Sequence, residues 1–181
     1  MSRSRFLSFA LRHRPDEVGL VLDPQGWADV PQLLACCAAH GHPMSTADLA
    51  ALVATNDKQR FELDGERIRA AQGHSVRVDL GLQPQVPPDV LFHGTVERFL
   101  ASIWARGLEP RSRQHVHLSA DVATATSVGD RRGTAVILRI DARSMHERGQ
   151  TFWRSANGVW LTDHVAPAWI SVEREADPNS K

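Results

Sequence analysis

Arginine and histidine are the side chains best suited to hold a phosphate and move protons around it. This sequence sets them in short, widely separated groups. Arg12-His13-Arg14 ends an apolar run, and Pro15 follows at once. Arg60 precedes Phe61, and Arg131 and Arg132 lie in "SVGDRRG". A guanidinium is planar, permanently charged and offers paired N–H donors to phosphate or carboxylate. Of the 21 basic residues, 19 are arginine; only Lys58 and Lys181 are lysine. An imidazole such as His13 can exchange a proton near neutral pH. Plainer readings stand beside these. Arg12 and His13 can complement a helix C-terminal dipole, worth about 0.3–1 kcal/mol at a surface. Arg60 reads equally as a cross-strand partner, Arg131 and Arg132 as a solvated helix end, and His93 and His117 as core histidines on apolar strands.

Other chemistries are excluded by pattern. G-x-x-x-x-G-K-[ST], G-x-G-x-x-G and H-E-x-x-H are all absent. His40/His42 and His115/His117 are spaced two apart, but neither pair has a third ligand at recognisable spacing, so no metal is expected. Cys36 and Cys37 are adjacent and point apart on a helix, which argues against an ordinary disulfide and for buried free thiols. Basic and acidic residues balance at 21 each, so bulk charge singles out no partner. A broken N-terminal apolar run and the lack of any span-length stretch predict a soluble, cytoplasmic protein. With zero net charge and no long exposed apolar segment, a monomer is the default.

The elements that must position these residues divide at about residue 85. The first half reads as three helices and a two-stranded wing. Phe6, Phe9, Ala10 and His13 share one face of a first helix, capped by Ser2 or Ser4 and ended by Pro15. "GLVLDPQGW" reads as a short strand and a turn. "DVPQLLACCAAHG" is a second helix, with Asp29 at its start, Pro31 in its first turn and Gly41 after its end. "STADLAALVATN" is a third, with a Ser45/Asp48 capping box. "RFELDGERIRAA" is a hairpin about Asp64-Gly65. "VDLGLQPQVPPDV" serves as linker.

In the second half, "VLFHGT" is expected to be a strand running into a glycine turn. "VERFLASIWARGL" is an amphipathic helix with Phe99, Leu100, Ile103 and Trp104 inward. "HVHLSAD" is a short strand and "DVATATSVGDRRG" a helix capped by Asp121. "TAVILRIDA" is a central strand, "TFWRSANGVWLTD" a hairpin around Asn157-Gly158, and "AWISVERE" a last strand. "ADPNSK" reads as a frayed tail. The five tryptophans read as core rather than as base-stacking platforms.

Seven segments in order resemble the RNA 2′-phosphotransferase family, from Ser4 to about Glu173: "LRHRP" (11–15), "DKQRFEL" (57–63), "RIRAAQGHS" (67–75), "LFHGT" (91–95), "VHLS" (116–119), "SVGDRRG" (127–133) and "SANGVWLT" (155–162). The resemblance implies an α+β protein of two lobes. Residues 1–85 would form a winged-helix-like RNA-binding lobe and 86–181 an ADP-ribosyltransferase-like mixed β lobe that binds NAD, with the active site between them. It implies that an internal 2′-phosphate of RNA, of the tRNA splice-junction type, attacks the nicotinamide ribose of NAD and expels nicotinamide. The 2″-hydroxyl of the ADP-ribosylated intermediate then attacks the phosphate, leaving 2′-hydroxyl RNA and ADP-ribose 1″,2″-cyclic phosphate.

Residue by residue, the resemblance assigns catalysis to Arg12, His13, Arg60 and Arg131. His13 handles the proton and the arginines clamp the phosphate. His93, Gly94, Thr95, His117, Leu118 and Ser119 match the segments that hold NAD. Gln72, His74 and Arg132 are expected to meet substrate, and Arg14 has no assigned role. Ala71 stands where the family usually has Asn, and Phe92 where Tyr is frequent. Two other classes remain beside this reading. One is an ADP-ribosyltransferase that stops after the first step and modifies nucleic-acid ends or proteins. The other is a winged-helix ligand sensor, against which the third helix lacks any Arg or Lys for groove reading.

Overall fold

Short-range signals decide most of the N-terminal elements. In the computed structural model, which describes residues 1–56 and 58–173, helix α1 spans Arg3–Arg12 with Ser2 accepting from the Arg5 N–H. Helix α2 spans Val30–Ala39, with Asp29 capping Gln32 N and Pro31 in the first turn. Helix α3 spans Thr46–Ala54. Its capping box is complete, with Ser45 Oγ accepting from Asp48 N and Asp48 Oδ2 from Ser45 N. Strand β1 (Ala28–Asp29) pairs with β3 (Arg67–Ala70), which pairs in turn with β2 (Phe61–Asp64). Asp64 sits opposite Arg67, so the hairpin turn is Gly65-Glu66, with Gly65 at φ +58°.

The chain divides into two compact units. Unit 1 comprises Met1–Leu82 together with Ser112–Gln114 and Ser155–Asn157. Unit 2 comprises Gln83–Arg111, His115–Arg154 and the chain from Gly158 on. Unit 1 has its own core of Phe6, Leu7, Leu11, Leu33, Leu49, Phe61 and Ile68. Each such side chain contributes about 1.5–3 kcal/mol on burial. The α1 face that packs inward therefore includes Leu7 and Leu11, while Phe9 is only half-buried. His40 and His42 stack on Phe6, with ring centroids 5.7 and 4.7 Å away. No strand forms at residues 19–22; a 3-10 turn (Asp16–Val18) is followed by irregular chain, and Asp23 Oδ1 accepts from Gln25 N and Trp27 N. The Asp23 side chain satisfies those amides locally, and the apolar Leu20 is buried without a strand partner.

Unit 2 is built on two small antiparallel sheets. The first has the order β4 (Val90–Val96), β6 (Ala135–Asp141), β9 (Ile170–Val172). The second has the order β5 (Val116–Leu118), β8 (Trp160–Thr162), β7 (Trp153–Arg154). Helices α4 (Leu100–Arg106), α5 (Val122–Gly129) and α6 (Ala142–Glu147) complete it. Its core includes Leu91, Leu118, Leu138, Ile140 and Phe152. Taken together, the two units make an α+β protein. β6 is central, as its apolar composition indicates.

Several expectations are corrected here. β4 does not turn at Gly94 but runs on to Val96, paired with β6 throughout. The glycine is there because α5 packs against it: a Cβ on Gly94 would lie 1.8 Å from Ala125 O. Trp104 is turned outward at 40 % exposed. Of the five tryptophans only Trp160 is buried. Trp27 is half-buried beneath the guanidiniums of Arg67 and Arg69, 5.1 and 4.5 Å from its ring centroid. Helix α6 lies in "DARSMHERGQ", which carries no periodic signal; Asp141 caps it through Ser144 N. The tail "ADPNSK" lies outside the described residues.

Candidate functional site

Three chain segments converge on the last turn of α1. The backbone N–H groups of both His13 and Arg14 close on Phe9 C=O at 3.0 Å, and Pro15 prevents further winding. Arg12 Nη2 then donates to Arg60 C=O at 3.1 Å, tying α1 to the loop ahead of β2. Ala71 N donates to the same carbonyl at 2.9 Å. Ser75 N donates to Arg12 C=O at 2.9 Å, which brings in the segment after β3. The side chains continue the pattern. Ser75 Oγ–H donates to Arg12 C=O at 3.4 Å, and His13 Nδ1 meets the same Oγ at 3.0 Å. With that hydroxyl donating to the carbonyl, His13 Nδ1 must carry the proton, and Nε2 is left as the basic nitrogen.

The electrostatics favour the neutral ring. His13 titrates below its ordinary value, first because it is partly buried and then because Arg12 and Arg113 repel a second cation. Arg12 is pushed down to about 10, by burial and then by Arg60 and Arg113. It stays charged at neutral pH. Among the described residues, neither Arg12 nor Arg60 has a carboxylate partner. Arginines gathered beside a neutral imidazole have the chemistry to attract a multiply charged anion.

Arg113 is a residue that the sequence patterns did not single out. It enters unit 1 with Ser112–Gln114. That segment is fixed by Gln114 N on His74 C=O at 3.3 Å and Gln114 Nε2 on Val78 C=O at 2.9 Å. The available signal was an arginine three positions ahead of "VHLS". Arg131 and Arg132 are exposed in the turn after α5 of unit 2, where Arg132 N donates to Gly129 C=O. Within unit 1 the structure brings Arg12, His13 and Arg60 together and adds Ser75 and Arg113.

His74 is the buried member of the "QGHS" segment, 2 % exposed, whereas Gln72 is half-buried and Ser75 exposed. Neither His74 ring nitrogen has a hydrogen-bond partner, and neither has Arg12 Nε. Unsatisfied buried polar atoms are rare and cluster at functional sites. Burial, reinforced by Arg12, His13 and Arg69, lowers His74 to about 4. Between its ordinary 6.5 and about 4, the unfolded chain takes up a proton here that the folded chain refuses. Stability therefore falls as pH falls through that window. At pH 4.5 this one side chain should cost about 2.5 kcal/mol relative to pH 7. Urea unfolding at the two pH values checks it: His74→Gln, which cannot titrate, should lose that much less than the parent, and an equal loss would refute the assignment.

In unit 2 the structure sets the "HGT" and "HLS" segments side by side. Phe92 and Ser119 exchange backbone hydrogen bonds at 2.8 and 2.7 Å, and His93 Nδ1 meets His117 C=O at 3.0 Å. That contact puts the proton on Nδ1 and makes Nε2 the acceptor. Gly94 is closed off by α5, while Thr95 and Leu118 are 4 % and 1 % exposed. The half-exposed groups are His93, His117 and Ser119.

Comparison with known proteins finds relatives along nearly the whole chain. Residues 1–164 match the family model described as RNA 2'-phosphotransferase, Tpt1 / KptA family. A probable RNA 2'-phosphotransferase of Acaryochloris marina is 55% identical over 174 residues, covering 95% of this chain and 96% of the relative. One of Hahella chejuensis is 54% identical over 173 residues, covering 94% and 93%. One of Streptomyces coelicolor is 52% identical over 167 residues, covering 92% of each. Matched along nearly its whole length, with the Arg12-His13 turn and the "HGT" strand inside the matched region, the chain belongs to the RNA 2′-phosphotransferase family.

Proposed function

We propose that this protein moves an internal 2′-phosphate from RNA to NAD, leaving 2′-hydroxyl RNA, nicotinamide and ADP-ribose 1″,2″-cyclic phosphate. The observation that supports it is the cation cluster of unit 1 around a neutral, oriented imidazole. A 2′-phosphate is close to dianionic, and its transesterification concentrates charge on the phosphoryl oxygens. Preorganised guanidinium forks stabilise such charge without reorganising. In this reading Arg12, Arg60 and Arg131 hold the phosphate, as the resemblance assigns, and Arg113 adds a further cation beside Arg12 and His13. His13 Nε2 accepts the proton of the attacking hydroxyl, while Ser75 holds Nδ1. Full burial makes His74 a support for its neighbours rather than a contact for substrate.

The co-substrate reading rests on the donor set of unit 2. His93, His117 and Ser119 present nitrogen and oxygen partners suited to a ribose diol and a carboxamide, with Leu118 and Thr95 filling the core beneath. NAD supplies an electrophilic ribose carbon and a good leaving group. The residues of this chain orient it and keep the imidazole of His13 in its basic form. Unit 1 serves as a winged-helix-like lobe for RNA and unit 2 as an ADP-ribosyltransferase-like lobe, acting in the cytoplasm on a tRNA splice-junction type of substrate.

The test is an oligoribonucleotide with one internal 2′-phosphate, incubated with and without NAD. Nicotinamide and cyclic phosphate should appear together, and only with NAD. Accumulation of ADP-ribosylated RNA without cyclic phosphate would replace this reading with a transfer-only activity. If no nicotinamide is released, the NAD reading fails altogether.

A further inference from the structure

Arg60 stands on a loop between α3 and β2 whose path is held by two asparagines from distant parts of the chain. From nearby, Asn56 Oδ1 accepts from Arg60 N at 3.3 Å and Asn56 C=O from Gln59 N at 2.8 Å. From 99 positions away, Asn157 Nδ2 donates to Lys58 C=O at 2.9 Å. The Lys58 carbonyl can only accept, which sets Nδ2 toward it and leaves Oδ1 to accept from Ser155 Oγ–H at 2.8 Å. Ser155 is itself 4 % exposed, so this support is anchored in packed structure.

Between the held Lys58 carbonyl and Arg60 lies Gln59, with φ +40°. A residue with a Cβ disfavours left-handed backbone, and such a conformation persists only where the surroundings over-determine it. Here they do. Asn56 and Asn157 fix the loop on the entry side, and Arg12 Nη2 and Ala71 N hold the Arg60 carbonyl on the exit side. Relaxation of Gln59 would rotate the backbone that carries the Arg60 side chain and shift the carbonyl on which Arg12 rests.

We propose that Asn157 is a positioning residue for Arg60: its side-chain amide holds residues 58–60 in the left-handed turn that aims the guanidinium. This rests on Arg60 acting on the substrate phosphate, and it gives a role to the "SANG" segment that phosphate and NAD chemistry leave unused. Asn157→Ala should lower kcat/KM for the 2′-phosphorylated oligonucleotide about tenfold, the scale of one lost hydrogen bond. The loss falls on kcat, and KM for NAD is unchanged. Asn157→Asp, which cannot donate to a carbonyl, should do no better. Glycine takes φ > 0 without penalty, so Gln59→Gly in the Asn157→Ala background should recover most of the loss.

Backbone 13C shifts of Gln59 give a readout independent of turnover; they should leave the left-handed range in Asn157→Ala. Unchanged shifts, wild-type kcat/KM in Asn157→Ala, or a loss that Gln59→Gly does not recover would each overturn the proposal. Arg60→Ala is measured alongside. If it turns over normally, the phosphate reading of Arg60 is what fails, while the Gln59 shifts still decide whether Asn157 holds the loop.

Discussion

Arg113→Ala should reduce kcat on a 2′-phosphorylated oligonucleotide by about 10²–10³-fold, the usual cost of removing one preorganised donor from developing negative charge. The expectation follows from geometry within unit 1, where Arg113 is felt by both Arg12 and His13. A second consequence separates an electrostatic role from simple loss of fold. Arg113 lowers the pKa of His13, so its removal should let that value rise. The acid limb of the pH–rate profile would then move to higher pH, because a more basic imidazole is protonated sooner as pH falls. Full activity in Arg113→Ala would remove Arg113 from the set that acts on the phosphate.

Gly94→Ala should lower stability by about 4 kcal/mol and the unfolding midpoint by roughly 10 °C. The added carbon would lie 1.8 Å from Ala125 O, 2.8 Å from Ala125 C and 2.9 Å from Gly129 N. These are backbone atoms of α5, which cannot step aside as a flexible side chain could. Gly129 has no slack either, since a Cβ there would be 2.8 Å from Ala135 Cβ on β6. The helix must therefore move as a body or the strand must bend. Because Gly94 is part of "HGT", lost activity in this variant invites a cofactor explanation. Thermal or urea unfolding separates the two, and a change below about 1 kcal/mol would show that α5 yields easily.

What could be read from the sequence was mostly what its neighbours in sequence decide. Ser45 with Asp48 and Asp29 with Pro31 each name a cap within four residues and form as read, while the hairpin read at Asp64-Gly65 turns one residue later, at Gly65-Glu66. Gly94 was misread because glycine marks a turn and a close approach alike; only α5, some thirty residues on, distinguishes them. Leu20 and Leu22 looked like strand because they are apolar, yet a side chain can be buried with no strand beside it. Arg12, His13 and Arg60 were legible as a set only by resemblance, since 48 positions separate Arg12 from the carbonyl it binds. Ser75 and Arg113 escaped for a related reason. Their roles come from hydrogen bonds and fields across chain segments that no local period encodes.

The short pieces Ser112–Gln114 and Ser155–Asn157 that join unit 1 also bear on how such a protein can be divided. A gene fragment ending at Leu82 would encode the helices, the wing, Arg12, His13 and Arg60. It would lack Arg113 and the amide of Asn157. Such a fragment would be an incomplete test of the proposed function. The chain leaves unit 1 at Leu82 and re-enters it twice, so no single cut in the sequence separates the two units.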